Sequence, residues 1–397
     1  MFKVSQNNIW TSPLPVVSLL VGAIVLAGCA SQSEKTNAVK AVPDVSQILD
    51  DHNKVAEKRW LLGEQSGAHY RASCPDGTPY VTPETISLQA HKVEVRDTGS
   101  RHFLKGTRLP RVEFVAGYHL TSDNPRFGGI SGIDTLNSGD LLAVTDQGDF
   151  LWIGMDEYDH LQPVSAQISM MRDANGNPYD NKADADSEGL AVDNGLAFVS
   201  FEREHRIEAF DLETCGANAR GSRVFTLDKD RDNVAGIRDN GGMEALALTD
   251  IGGLIMGVET LDDGKAQLSF SPKVGMADFR GRLDAGNSKQ ITGSDYLARS
   301  QNSGELYSLH RYYSPLTGAQ INVLQTQVSR NEGGEYILGE SVELLSLKLP
   351  GVTDNFEGIS VRRDEDGNIR LFIVSDDNFS PKQRSLLLIF NVVPKGY

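Results

Sequence analysis

Residues 186 to 192 read D-S-E-G-L-A-V, and the heptapeptide has relatives along the chain: G-I-S-G-I-D-T from Gly129, G-G-M-E-A-L-A-L from Gly241 and D-N-F-E-G-I-S-V from Asp354. Each copy has a small or acidic residue, usually a glycine next, a short apolar run, a turn, and a second run that closes on a polar or acidic tail. The tails are L-L-A-V-T-D-Q-G ending at Gly148, L-A-F-V-S-F-E-R at Arg203, L-I-M-G-V-E-T at Thr260 and L-F-I-V-S-D-D-N at Asn378. With Ser131, Glu188, Glu244 and Glu357 as markers, the intervals are 57, 56 and 113 residues. The last is about twice the others, so a degenerate copy is expected near residue 300, where S-G-E-L-Y-S-L-H-R (303 to 311) stands.

A fixed period made of strand pairs and turns points to an all-β propeller, because each blade leaves both faces apolar until its neighbours cover them. Helical solenoids need apolar spacings of three and four. Here short runs rich in Val, Ile and Leu are bounded by N-S-G-D, D-N-G, I-G-G and D-E-D-G-N turns. Five markers from residue 131 onward, with strand-like E-V-R-D and R-V-E-F-V-A-G-Y before them, predict six blades, with five or seven left open.

The 397 residues fit one closed domain, with 39% apolar and 23% charged residues to build and solvate it. The formal charge of −16 argues against nucleic acid as partner and suits cations. At the amino terminus, Lys3 precedes the apolar segment L-P-V-V-S-L-L-V-G-A-I-V-L-A-G (14 to 28), which is short for a membrane span and ends in L-A-G-C. That tetrapeptide resembles the bacterial lipobox, which implies cleavage before Cys29, lipidation of its sulfur and acyl chains such as palmitate. Ala30 follows instead of Asp, which implies sorting to the outer membrane, facing the periplasm. The expected organisation is a lipoprotein signal peptide over 1–28, a flexible tether over 29–55, an N-terminal extension or first-blade strands over 56–110, and the propeller over 111–397. Cys74 and Cys215 remain; an oxidising periplasm permits a disulfide between them, and two separate thiols are the alternative.

F-G-G-I-S-G-I (127 to 133), M-R-D-A-N-G-N-P-Y (171 to 179), R-D-N-G-G-M-E-A-L-A-L (238 to 248), H-R-Y-Y-S-P-L-T-G (310 to 318), and D-N-F-E-G-I-S-V with S-D-D-N-F-S-P-K-Q-R-S-L-L-L together resemble the bacterial "esterase-like activity of phytase" family. The resemblance covers about residues 110 to 395. It implies a propeller similar to that of calcium-dependent phosphomonoesterases. Leu309, His310 and Arg311 stand where the family commonly shows L-E-R, and S-F-E-R where S-D-E is usual.

The residue just before each inner-strand apolar run lies at a channel mouth, which brings together Ser131, Glu188, Glu244 and Glu357. Converging carboxylates repel unless they are protonated, paired with Arg or neutralised by a cation. Ca²⁺, which takes six to eight oxygens in flexible geometry, fits that demand. The expected metal ligands and catalytic residues are Glu188, Glu244 and Glu357, with Asp146 and Asp376 as further metal ligands. Glu202, Glu259 and Asp377 close other tails. Arg126, Arg203 and Arg311 are the expected phosphate clamp, acting on a small phosphorylated substrate. Each carboxylate could instead accept backbone N–H groups of the next blade or pair with an Arg. A serine nucleophile in a G-x-S-x-G elbow is missing, and His205 and His310 read as hydrogen-bonding strand residues. Two functions follow: a lipid-anchored, calcium-dependent phosphoesterase, or a non-catalytic propeller with structural calcium that binds an envelope component.

Overall fold

The computed structural model describes residues 64–95, 111–249, 253–271, 276–286, 289–300, 302–348, 352–364 and 367–393. The chain divides into two units, Met1–His52 and Asn53–Tyr397, and every described residue belongs to the second. The expected signal peptide over 1–28, Cys29 and the expected tether over 29–55 lie outside the described residues. Helix α1 (Glu64–Ser73) is followed by β1 (Glu84–Ile86), β2 (Gln89–Lys92) and β3 (Arg111–Thr121). The first blade then runs outward as β4 (Ile130–Thr135), β5 (Leu141–Thr145), β6 (Asp149–Met155) and β7 (Pro163–Met170), with β1 added at its edge.

After the short helix α2 (Lys182–Ala185), the second blade comprises β8 (Ser187–Asp193), β9 (Leu196–Phe201), β10 (Arg206–Asp211), helix α3 (Leu212–Cys215) and β11 (Ser222–Thr226). The third holds β12 (Ala245–Leu248), β13 (Leu254–Asp262), β14 (Lys265–Phe270) and β15 (Gly281–Leu283). The fourth holds β16 (Gln290–Ser300), β17 (Ser303–Ser314), β18 (Gly318–Arg330) and β19 (Tyr336–Lys348). In the fifth, β20 (Asn355–Arg363), β21 (Ile369–Asp376) and β22 (Leu386–Val393) continue outward into β3 and then β2. The inner strands β4, β8, β12, β16 and β20 contact one another in a closed ring.

The propeller therefore has five blades, where six were expected. The segment R-V-E-F-V-A-G-Y makes no blade of its own: as β3 it pairs antiparallel with β22, Ile389 opposite Ala116. Backbone hydrogen bonds between the two ends of the chain close the ring and cover an otherwise open sheet edge. Strands ahead of residue 111 thus belong to the propeller, β1 in the first blade and β2 in the fifth. A second correction concerns residues 303 to 311. They form the second strand of the fourth blade, and its inner strand is β16.

Strand alternation builds the core. In β5, Leu141 and Ala143 enter the apolar cluster shared with the fifth blade, while Leu142 and Val144 enter the one shared with the second. In β9, Leu196 and Phe198 face the third blade and Ala197, Val199 and Phe201 the first. A blade strand buries both faces, so its sequence reads as a continuous apolar run. The Cys74 and Cys215 sulfurs are bonded, Cα–Cα 5.8 Å, and fasten the end of α1 to α3 of the second blade.

Candidate functional site

One backbone feature aims the marker residues. The pairing of β4 with β5 shifts register between Ile130 and Gly132, that of β8 with β9 between Ser187 and Leu190, that of β16 with β17 between Ile291 and Gly293, and that of β20 with β21 between Phe356 and Gly358. Such a bulge leaves an extra residue outside the ladder and re-aims its side chain. The extra residues include Ser131, Glu188, Thr292 and Glu357; Glu244 directly precedes β12. The glycine that follows is a steric requirement, because a Cβ at Gly189 would stand 2.9 Å from the Glu244 carbonyl oxygen and one at Gly293 2.3 Å from that of Glu357.

Beside this ring Asp146, Glu202, Glu259, Arg311 and Asp376 lie at or within three residues of the ends of the second strands, one from each blade. Arg311 sits opposite Gln290 as Asp376 sits opposite Asn355, so the fourth blade contributes a cation where the others contribute carboxylates. All residues of these two sets except Thr292 line a cavity of about 400 Å³. Asp186 joins it, bringing the carboxylates to eight against the three cations Lys182, Arg203 and Arg311.

Partners divide these carboxylates into two groups. Glu357 accepts from Arg311 Nη1 at 2.9 Å and from Asn355 Nδ2 at 2.8 Å, and Arg311 Nη2 lies 3.7 Å from Glu259. Asp186 accepts from Lys182 Nζ (2.9 Å) and Arg203 Nε (2.8 Å), while Lys182 also reaches Asp146 at 2.7 Å. Glu188 and Glu244 have neither a hydrogen bond nor an ion pair among the described residues.

Burial, and then the charges of Glu244 and Glu357, hold the Glu188 carboxyl well above the usual carboxylate range. Burial and Glu259 do the same to Glu244. Burial and Asp186 raise Glu202 to about 7, and burial and Glu357 raise Asp376 to about 8. In each case burial is the first cause and the neighbouring carboxylates add to it. Asp186, Glu188 and Glu202 each offer an oxygen within 4.8 Å of the other two. That span suits a common ion with oxygen distances of about 2.3–2.6 Å.

The expected Glu188, Glu244, Glu357, Asp146 and Asp376 thus line one cavity, together with Arg203 and Arg311. Arg126 does not, and its assignment to the phosphate clamp is corrected. Its Nη1 donates to Asp149 at 2.9 Å and its Nη2 to Glu84 at 3.0 Å, tying the edge strand β1 to the first blade. Asp377 is also structural, accepting from the Gly129 and Phe379 amides and from Ser385 Oγ, each at 3.0 Å. His310 is buried and hydrogen-bonded with Ser308, and burial lowers its pKa to about 3. Asp186, Lys182, Asn240 and Asn355 were not singled out as site residues. Asp186 carried a signal all the same, standing two residues before Glu188 as Asn355 stands before Glu357.

Residues 125–379 match the Phytase-like family, described as esterase-like activity of phytase. No curated protein matches. Among solved structures the chain is similar to glutaminyl cyclase of Myxococcus xanthus (14% identity, 72% of this chain and 98% of that one, TM-score 0.39). It is also similar to the PQQ-bound aldose sugar dehydrogenase of Streptomyces coelicolor (11%, 71% and 98%, TM-score 0.38) and to the Dos1 propeller (9%, 70% and 74%, TM-score 0.30). At these identities and scores none assigns a reaction.

Proposed function

We propose, from the premise that the chain belongs to the Phytase-like family of esterase-like activity of phytase, that the acidic mouth is a calcium-dependent phosphomonoesterase site. The observation that carries this reading is the pair Glu188 and Glu244, two carboxylates without partners beside the three-oxygen cluster of Asp186, Glu188 and Glu202. Those three residues would hold the ion, with Glu244 and Asp376 close enough in charge to respond to it. When bound, Ca²⁺ supplies neutralisation of phosphate charge and acidification of water. The chain does the rest. Arg203 and Arg311 orient phosphate oxygens with the N–H groups their carboxylate partners leave free. Lys182 fixes Asp146 and Asp186 at the rim, and Glu244 is placed to take a proton on its carboxylate.

Phosphate release from p-nitrophenyl phosphate by the purified protein, with calcium and with chelator, tests this. Turnover is expected only with calcium, and Glu188→Gln should lower it by about a hundredfold or more, as loss of a group acting on the transition state does. Cleavage of p-nitrophenyl butyrate that survives chelation would overturn both mechanism and substrate class. A second reading draws on the ion pairs Arg203–Asp186 and Arg311–Glu357: a non-catalytic propeller, riveted by calcium, that binds an envelope component. It prevails if neither ester is cleaved while calcium still raises the melting midpoint. Both readings accommodate a lipid anchor on Cys29 at the periplasmic face of the outer membrane. Cys29→Ser should release the folded protein from the membrane fraction; labelled fatty acid on that variant would refute the anchor.

A further inference from the structure

A second pocket, of about 560 Å³, adjoins the acidic cavity and shares Arg311 and Asn355 with it. Strand register sets its lining. Arg311 on β17 lies opposite Gln290 on β16, and Tyr313, two residues on, falls on the same side of the strand as Arg311. Asp354 and Gln383 enter from the fifth blade. Arg311 belongs equally to the acidic cavity, where its Nη1 donates to Glu357 at 2.9 Å and its remaining N–H groups are those assigned to the phosphate, and Asp354 accepts from Arg384 Nε at 3.2 Å.

What the pocket offers a ligand is therefore uncharged. The side-chain amides of Gln290 and Gln383 have no hydrogen-bond partner among the described residues. Asn355 commits its Nδ2 to Glu357 and Asp376, which leaves the carbonyl Oδ1 as an acceptor. Tyr313 is 69% exposed, an aromatic ring left in water at the pocket's edge. A neutral ring rich in hydroxyls meets these groups: its hydroxyls pair with the amides and its C–H face covers Tyr313. A ring bearing several phosphates does not, since among the described residues that line this pocket the one cation is Arg311, engaged with Glu357 and the first phosphate, so each further phosphate would be desolvated without a cation of its own.

Resting on the phosphoesterase reading above, we infer that this pocket receives the alcohol half of the substrate. The substrate class is then an uncharged sugar or polyol carrying a single phosphate, with the phosphate in the acidic cavity and the ring against Tyr313, Gln290 and Gln383.

Saturation-transfer NMR on the calcium-free protein tests the pocket without hydrolysis, using glucose, galactose, mannose, ribose and myo-inositol as probes. Transfer to at least one ring is expected. Tyr313→Ala and Gln383→Ala, each first checked for an unchanged melting midpoint, should weaken that binding by about tenfold. No transfer across the panel, or transfer that survives both substitutions, overturns the inference. With calcium, kcat/KM for glucose 1-phosphate should exceed that for methyl phosphate by about tenfold, and should also exceed that for glucose 1,6-bisphosphate. The reverse order overturns it as well. Ring binding without phosphate release from any ester keeps the pocket's ligand and sinks the phosphoesterase reading alone. Phosphate release without ring binding does the converse.

Discussion

The two ends of the channel carry their carboxylates on different inner strands and satisfy them in opposite ways. Three residues beyond the markers Ser131, Thr292 and Glu357 stand Asp134, Asp295 and Ser360. Asp134 accepts from the Val192 amide of the next blade at 2.7 Å and from Thr135 N–H at 2.6 Å. Asp295 accepts from the Val361 amide at 2.6 Å and from Tyr296 N–H at 2.7 Å. Ser360 Oγ lies 3.0 Å from Asp134 and 3.3 Å from Asp295. Its single hydrogen serves one of them, and burial with the nearby Asp134 charge keeps the Asp295 carboxyl well above its usual range. At the other mouth Glu188 and Glu244 have no such donors among the described residues. A buried carboxylate that accepts the neighbouring blade's backbone is a fastener, whereas one left without donors is open to a ligand.

The largest expected effect would sharpen this contrast through pH. Glu202 and Asp376 are raised in the folded protein to about 7 and about 8, so between pH 5 and 8.5 the folded state binds more protons than the unfolded state. Their contribution to stability is therefore full at low pH and lost as pH rises through those values. Metal-free protein should lose several kcal/mol over the window by urea denaturation, and saturating calcium should reduce the loss. A flat profile without metal would show the two mouths to be alike.

Next comes Asp295→Ala, which leaves the Val361 and Tyr296 amides unpaired and should cost about 3 kcal/mol in the same measurement. Asp295→Asn, which keeps an accepting oxygen, should cost much less. An equal loss for both would mean that charge, not the backbone contact, matters at that end. The smallest effect has the opposite sign. Glu188→Gln removes an ionisable group that burial and neighbouring carboxylates disfavour and should stabilise metal-free protein at pH 7.5 by about 1 kcal/mol. By calorimetry it should weaken calcium binding by about tenfold, or about 1.4 kcal/mol. Destabilisation by Glu188→Gln would make Glu188 a fastener like Asp295.

Much of this was readable from the repeat. The recurring acidic-glycine-apolar heptapeptide placed Glu188, Glu244 and Glu357 at one mouth, and the polar tails placed Asp146, Glu202, Glu259 and Asp376 beside them, because a strand period of two and a fixed repeat carry equivalent residues to equivalent places. Asp134 and Asp295 were overlooked because their role lies in hydrogen bonds to another blade, which no local pattern records. Arg126 was misplaced for the same reason, as its partners Glu84 and Asp149 are remote in sequence or on another strand. The blade count failed where pairing is between the chain's two ends: nothing within R-V-E-F-V-A-G-Y tells whether it begins a blade or, as β3, completes the last. By itself, then, the sequence determined the all-β repeat, the family and the residue types gathered at the acidic mouth, since those follow from local periodicity and composition. Ring closure, the register shifts that turn Ser131, Glu188 and Glu357 into the channel and the division of carboxylates into paired and unpaired were decided only in three dimensions. They depend on which backbone donors and cations arrive from distant parts of the chain.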